Sequence, residues 1–216
     1  AAQLGASVRF LSVVGSDRVR DLAATELDRY NVDYSFAVDS ARPTTLKQRF
    51  RSQGKSLLRV STLSQQAISD HLQRIILSEF EKTVKDTDIV VFSDFNYGCL
   101  PQPLVDRVIK ICKDHNIMIS ADSQSSSQFG DVSRFKGAHL ITPTEREARL
   151  ALQNYDDGIV VLADKVMAKT SAQNILLKLG SDGMIAQLAQ KQDLVPHTER
   201  LDALNIHPVD VSGAGD

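Results

Sequence analysis

The chain has 216 residues, 42% of them hydrophobic and 24% charged, which suits a folded protein with a sizeable core and excludes a mainly disordered one. Its 25 basic and 27 acidic residues leave a net charge of −2, so no overall basic excess asks for nucleic acid or an anionic membrane. Two cysteines, Cys99 and Cys112, exclude a disulfide scaffold and a cysteine-based zinc cluster and fit a reducing cytoplasm, while no apolar run is long enough to span a bilayer.

In chain order the pattern alternates strands with helices. Ser7 to Val14 reads as a strand ending at Gly15, followed by a helix from about Arg18 to Tyr30 capped by Ser16 or Asp17. Three short strands come next, Tyr34 to Val38, Thr44 to Ser52 and Ser56 to Thr62, with Gln53-Gly54 as a tight hairpin between the last two. They read as a small antiparallel sheet inserted at about 34–62. Leu72, Ile75, Ile76, Phe80 and Val84 then recur at helical spacing. Asp88 to Ser93 is a continuous apolar run, of the kind buried on both faces of a parallel sheet. A helix starting at Pro101 or Pro103 presents Leu104, Val105, Val108, Ile111 and Cys112 on one face. Strands follow at Ile117 to Ala121, His139 to Thr142 and Ile175 to Leu179, separated by helices from about Thr144 to Leu152 and Ala163 to Lys169. Gly180-Ser181-Asp182-Gly183 turns into an antiparallel partner, Met184 to Ala189. The repeated βαβ pattern predicts an α/β domain over 1–216 with a mostly parallel central sheet.

Three motifs carry chemistry. Asp210-Val211-Ser212-Gly213-Ala214-Gly215-Asp216 places glycines two apart, which lets successive backbone N–H groups form an anion nest beside a carboxylate. It reads equally as an ordinary glycine-rich turn. Thr144-Glu145-Arg146-Glu147 is a capping box by pattern, yet it follows a parallel strand at the edge where α/β proteins bind ligands, so Glu147 also suits Mg²⁺ and its waters. Lys47, Arg49 and Arg51 share one face of a strand, which suits a phosphate or a solvated sheet face alike. Asp94 and Asp122 both fall just after apolar strands, at the same edge or in plain turn chemistry.

Taken together and in order, these segments resemble the ribokinase-like (PfkB) carbohydrate kinases. TTLKQRFRSQGKSLLRVST resembles the lid sheet of the heptose 7-phosphate kinase subgroup, SDFNYGCL its SDYGKGVL, and HLITPTEREARLAL the segment carrying Asn-x-x-Glu. LKLGSDGM resembles the Thr-x-Gly-x-x-Gly hairpin near ATP, and VDVSGAGD the signature Asp-Thr-Thr-Gly-Ala-Gly-Asp. The resemblance implies a three-layer ribokinase-like fold with a small antiparallel lid, ATP and Mg²⁺ as cofactors, and a sugar or sugar phosphate as acceptor. By it Asp216 is the base, Gly213, Ala214 and Gly215 form the anion hole, and Glu147 acts on Mg²⁺ through water. Lys178, Gly180, Gly183 and Thr144 then face ATP, while Lys47, Arg49, Arg51 and Asp94 serve the substrate. A homodimer through the lid follows from the same family. So does the expectation that 216 residues are the interior of a longer kinase, inactive by themselves, lacking an N-terminal Gly-Gly-Asn turn and the helix that GAGD opens. The departures are Thr144 for Asn, Lys178 for Thr, Asn96-Tyr97 for Gly-Lys, and Asp122-Ser123-Gln124 for Asp-Pro-Lys. They leave a non-catalytic nucleotide- or sugar-binding relative with a regulatory or assembly role as the alternative.

Overall fold

The computed structural model describes residues 1–52, 55–124, 131–189 and 197–203. They form two compact units, Ala1–Asp86 with Tyr97–Leu104, and Thr87–Asn96 with the chain from Val105 onward.

The first unit begins with a parallel pair. Strand β1 (Arg9–Val14) runs through helix α1 (Arg18–Arg29) into β2 (Asp33–Val38), in register from Arg9 opposite Asp33 to Val14 opposite Val38. The segment grouped with the lid on sequence grounds therefore pairs with β1, because a twelve-residue helix supplies the crossover that a parallel pair needs. The antiparallel ribbon is two-stranded, β3 (Leu46–Ser52) with β4 (Lys55–Thr62). Helix α2 (Asp70–Glu81) is capped by the Ser69 hydroxyl and buries Leu72, Ile76 and Phe80, each four apart, while packing on β1 and β2. Asp17 fixes both the start of α1 and the approach to the ribbon. Its Oδ1 accepts the Arg20 N–H at 3.1 Å and its Oδ2 the Thr44 N–H at 2.7 Å. The Thr44 hydroxyl returns the favour by accepting the Gly15 N–H at 2.8 Å.

The second unit is a six-stranded sheet. Its elements are β5 (Ile89–Asp94), α3 (Gln102–Asp114, whose first turn belongs with the other unit), β6 (Met118–Ser123), β7 (Leu140–Ile141), α4 (Glu145–Leu152), α5 (Ile159–Thr170), β8 (Asn174–Lys178), β9 (Met184–Leu188) and β10 (His197–Leu201). The spatial order is β10-β9-β8-β7-β6-β5, parallel from β5 to β8 and antiparallel beyond. Strands added in one direction through right-handed crossovers put their helices on one face. That face holds the cross-strand row Phe92, Ala121, Ile141, Ile175 and Gln187, all buried. Phe135, which ends the short 3-10 helix Val132–Arg134, packs against Phe92 with ring centroids 5.2 Å apart and the rings tilted by 34°. The opposite face is open among the described residues: Val91 is 62% exposed, and Ile89, Met118 and Leu188 are exposed with it. β5 is thus buried on one face, not on both. β10 had no strand signal, since HTERL lacks apolar alternation; its pairing with β9 supplies the strand. No helix among the described residues is long and apolar enough to cross a membrane.

Candidate functional site

The carboxyl ends of the parallel strands bring together two ion pairs of the second unit, Asp94–Arg134 and Asp122–Lys178. Asp94 closes β5 and is 3% exposed. Its Oδ2 pairs with Arg134 Nη1 at 2.8 Å and its Oδ1 accepts the Asn96 N–H at 2.9 Å. Burial pushes its carboxyl above the ordinary value, against the pull of the Asn96 N–H and the Arg134 charge. Asn96 sits at a positive φ of 58° and donates its side-chain amide to the Gln124 carbonyl at 3.3 Å, tying the turn after β5 to the end of β6. The Asn96 conformation is one that a short polar side chain tolerates.

Asp122, near the end of β6, meets Lys178 at the end of β8. The Lys178 ammonium lies 3.1 Å from Asp122 Oδ1, and the Thr142 hydroxyl donates to the same oxygen at 3.1 Å. Thr142 follows the two-residue β7, and Pro143 after it has no N–H to continue the ladder. The Lys178 N–H is given to the Pro143 carbonyl at 2.9 Å, so β8 keeps contact with the chain leaving β7.

Thr144 and Glu147 form the capping box of α4. The Glu147 carboxylate accepts the Thr144 N–H at 2.8 Å, and the Thr144 hydroxyl accepts the Glu147 N–H at 3.3 Å. Glu147 is buried. The hairpin after β8 turns on Gly180 and Gly183, both at positive φ, 66° and 83°. A Cβ on Gly183 would lie 2.0 Å from the Leu201 carbonyl oxygen, so only glycine admits the chain that passes there.

Lys47, Arg49 and Arg51 lie on the ribbon of the first unit and are exposed. Arg49 stands directly opposite Arg59, and the Lys47 ammonium lies 4.9 Å from the centre of the Tyr97 ring. The other ribbon face carries Phe50, Leu58 and Val60, all exposed. Asp94, Thr144, Glu147, Lys178, Gly180 and Gly183 belong to the second unit. Gly213, Ala214, Gly215 and Asp216 lie outside the described residues. Sequence reasoning placed Asp94, Asp122 and Lys178 at strand ends but missed their partners. Arg134 is forty residues from Asp94 and Thr142 twenty from Asp122, and no local pattern links either pair.

The profile of the pfkB family carbohydrate kinases matches residues 1–216. The chain belongs to that family. Among curated relatives, the bifunctional protein HldE of Desulfatibacillum aliphaticivorans is 30% identical over 217 residues, covering 99% of this chain and 42% of that protein. HldE of Sulfurimonas denitrificans is 30% identical over 223 residues, covering 99% and 43%. The chain thus spans about two-fifths of the length of the curated relatives it matches. Among solved structures, phosphofructokinase-2 of Escherichia coli in complex with fructose-6-phosphate superposes with a TM-score of 0.70 at 14% identity, over 99% of this chain and 68% of that one. Ribokinase of Giardia lamblia gives 0.69 at 14% identity, over 89% and 62%. The pfkB-family fold is therefore the expected ribokinase-like one, with a mostly parallel sheet and a small antiparallel ribbon.

Proposed function

We propose that the complete protein transfers the γ-phosphoryl group of ATP to a hydroxyl of a sugar phosphate, of the heptose 7-phosphate type. Membership of the carbohydrate kinase family is the observation that carries this reading. The lid-like segment TTLKQRFRSQGKSLLRVST and the HldE relatives support the heptose substrate. In-line phosphoryl transfer asks the protein chiefly for positioning and charge neutralisation. In this reading Asp216 takes the proton of the acceptor hydroxyl, and the N–H groups of Gly213, Ala214 and Gly215 hold the transferring phosphoryl oxygens. Lys178, with Thr144 and the Gly180–Gly183 hairpin, meets the phosphates of ATP. Lys47, Arg49 and Arg51 meet the phosphate of the substrate, and Asp94 stands at the sugar's edge.

Mg²⁺ supplies charge neutralisation at the phosphates. It commonly takes one or two carboxylates and keeps several waters. Among the described residues no group of three or more acidic, histidine or cysteine side chains forms a closed metal cage. The buried carboxylate of Glu147 fits the open kind of site, acting through water. We assign the protein to the cytoplasm, which a content of just two cysteines suits. A homodimer through the ribbon would cover Phe50, Leu58 and Val60; light scattering on the full-length protein, compared with Phe50→Glu, tests it.

The decisive experiment is turnover of ATP and Mg²⁺ by the full-length protein against a panel of sugar phosphates. Asp216→Asn is expected to abolish transfer while ATP still binds. Retained turnover in that variant removes Asp216 from the base role. Binding without turnover in the wild-type protein supports instead a non-catalytic relative.

A further inference from the structure

Three adjacent parallel strands end on a single carboxylate oxygen. Asp122 comes from β6, Thr142 from the end of β7 and Lys178 from β8, and both the hydroxyl and the ammonium bond Asp122 Oδ1 at 3.1 Å. The backbone around them is fixed. Thr142 donates its N–H to the Ala121 carbonyl at 3.1 Å, and Lys178 donates its N–H to Pro143. A bridge also joins Thr144 to Lys178. Lysine normally holds its charge on a flexible stem with many rotamers. Here the ammonium reaches across the short middle strand to an acceptor that is itself held by a second donor. Its side chain is 19% exposed and that of Asp122 15%, so the pair is sheltered but open to a ligand at the sheet edge.

A bare ammonium half-removed from water would cost desolvation, and Asp122 offsets that cost. The same carboxylate leaves the pair close to neutral. Such a site favours a ligand with enough negative charge in all to compete with the carboxylate, and a nucleoside triphosphate carries more charge in total, spread over a longer chain of phosphates, than a monophosphate.

We propose that Asp122, steadied by Thr142, is the positioning residue of Lys178, and that this trio sets a preference for nucleoside triphosphate over monophosphate. The inference rests on the kinase reading for the nucleotide and for its phosphates lying at Lys178; it assigns Asp122 and Thr142 roles that the reading does not contain.

The test is calorimetric binding of ATP and of AMP to the full-length protein, with sugar phosphorylation measured alongside. Lys178→Met is expected to weaken ATP about tenfold or more while changing AMP less than about twofold. Asp122→Asn should weaken ATP in the same selective way. The double variant should be no weaker than Lys178→Met alone, since the carboxylate acts through the lysine. Lys178→Arg should keep most of the discrimination, and Thr142→Val should lose a smaller part of it; both conserve bulk, so they report even where a bolder change unfolds the sheet edge. Unchanged or tighter ATP binding in Asp122→Asn overturns the proposal. So do additive losses in the double variant, or equal weakening of ATP and AMP, which marks a merely structural pair. Selective ATP binding that depends on the trio, in a protein that phosphorylates no sugar, sinks the kinase reading and leaves this inference standing. Turnover with trio-independent binding does the reverse.

Discussion

Two aspartates illustrate how one residue type acquires opposite titration behaviour. The Thr44 N–H, with further help from the Arg20 cap, holds the Asp17 carboxyl below its ordinary value of 3.8. Burial lifts that of Asp94 above the same value. The consequences for stability have opposite signs. For Asp17 the unfolded chain binds the extra proton, so its contribution is present above 3.8 and is lost as pH falls through the depressed value. For Asp94 the folded chain binds it, so stability falls as pH rises from 3.8 through the raised value. Melting temperatures across the acid range should show Asp17→Asn losing the rise below that point and Asp94→Asn losing the fall above it. The Asp94–Arg134 pair carries a separate cost. Arg134→Ala leaves a 3% exposed carboxylate without its cation and should destabilise by about 3 kcal/mol in chemical denaturation.

At the scale of the element, α4 shows a local signal read correctly for shape and left open for chemistry. Thr144-x-x-Glu147 announced a capping box, and the box is there. Thr144→Ala should therefore cost about 1 kcal/mol in thermal or denaturant unfolding. Glu147→Gln separates the cap from the metal role proposed for that side chain, because an amide oxygen still accepts the Thr144 N–H. We expect the melting temperature to hold and Mg²⁺-dependent turnover of the full-length protein to fall. The hairpin after β8 was legible from its glycines, and Gly183→Ala should lower stability by at least ~1 kcal/mol, through its positive φ and the Leu201 contact. β2 and β10 were misread or missed for a common reason. Their membership is decided by a partner strand, β1 or β9, and pairing leaves little trace in the composition of a five- or six-residue segment.

For the molecule as a whole, alternation of strands and helices was enough to predict a mostly parallel sheet. It said nothing of which sheet face the helices would leave open, because Ile89, Val91 and Met118 look like core residues in any window. Their exposure follows from a strand order that grows in one direction. An apolar face beside the edge strand β5 is an invitation to self-association. In the full-length protein Val91→Lys should reduce light scattering at high concentration without lowering the melting temperature, whereas a marked fall in melting temperature shows that face to be covered. The two-residue β7 has a different kind of consequence. By stopping at Ile141 and passing into Pro143, it leaves a gap between the longer ends of β6 and β8, and a lysine from one reaches an aspartate on the other. The cation at this edge comes to its carboxylate from Lys178, 56 residues further along the chain and two strands away in the sheet, so the charge of the edge is set by strand order and not by neighbours in sequence.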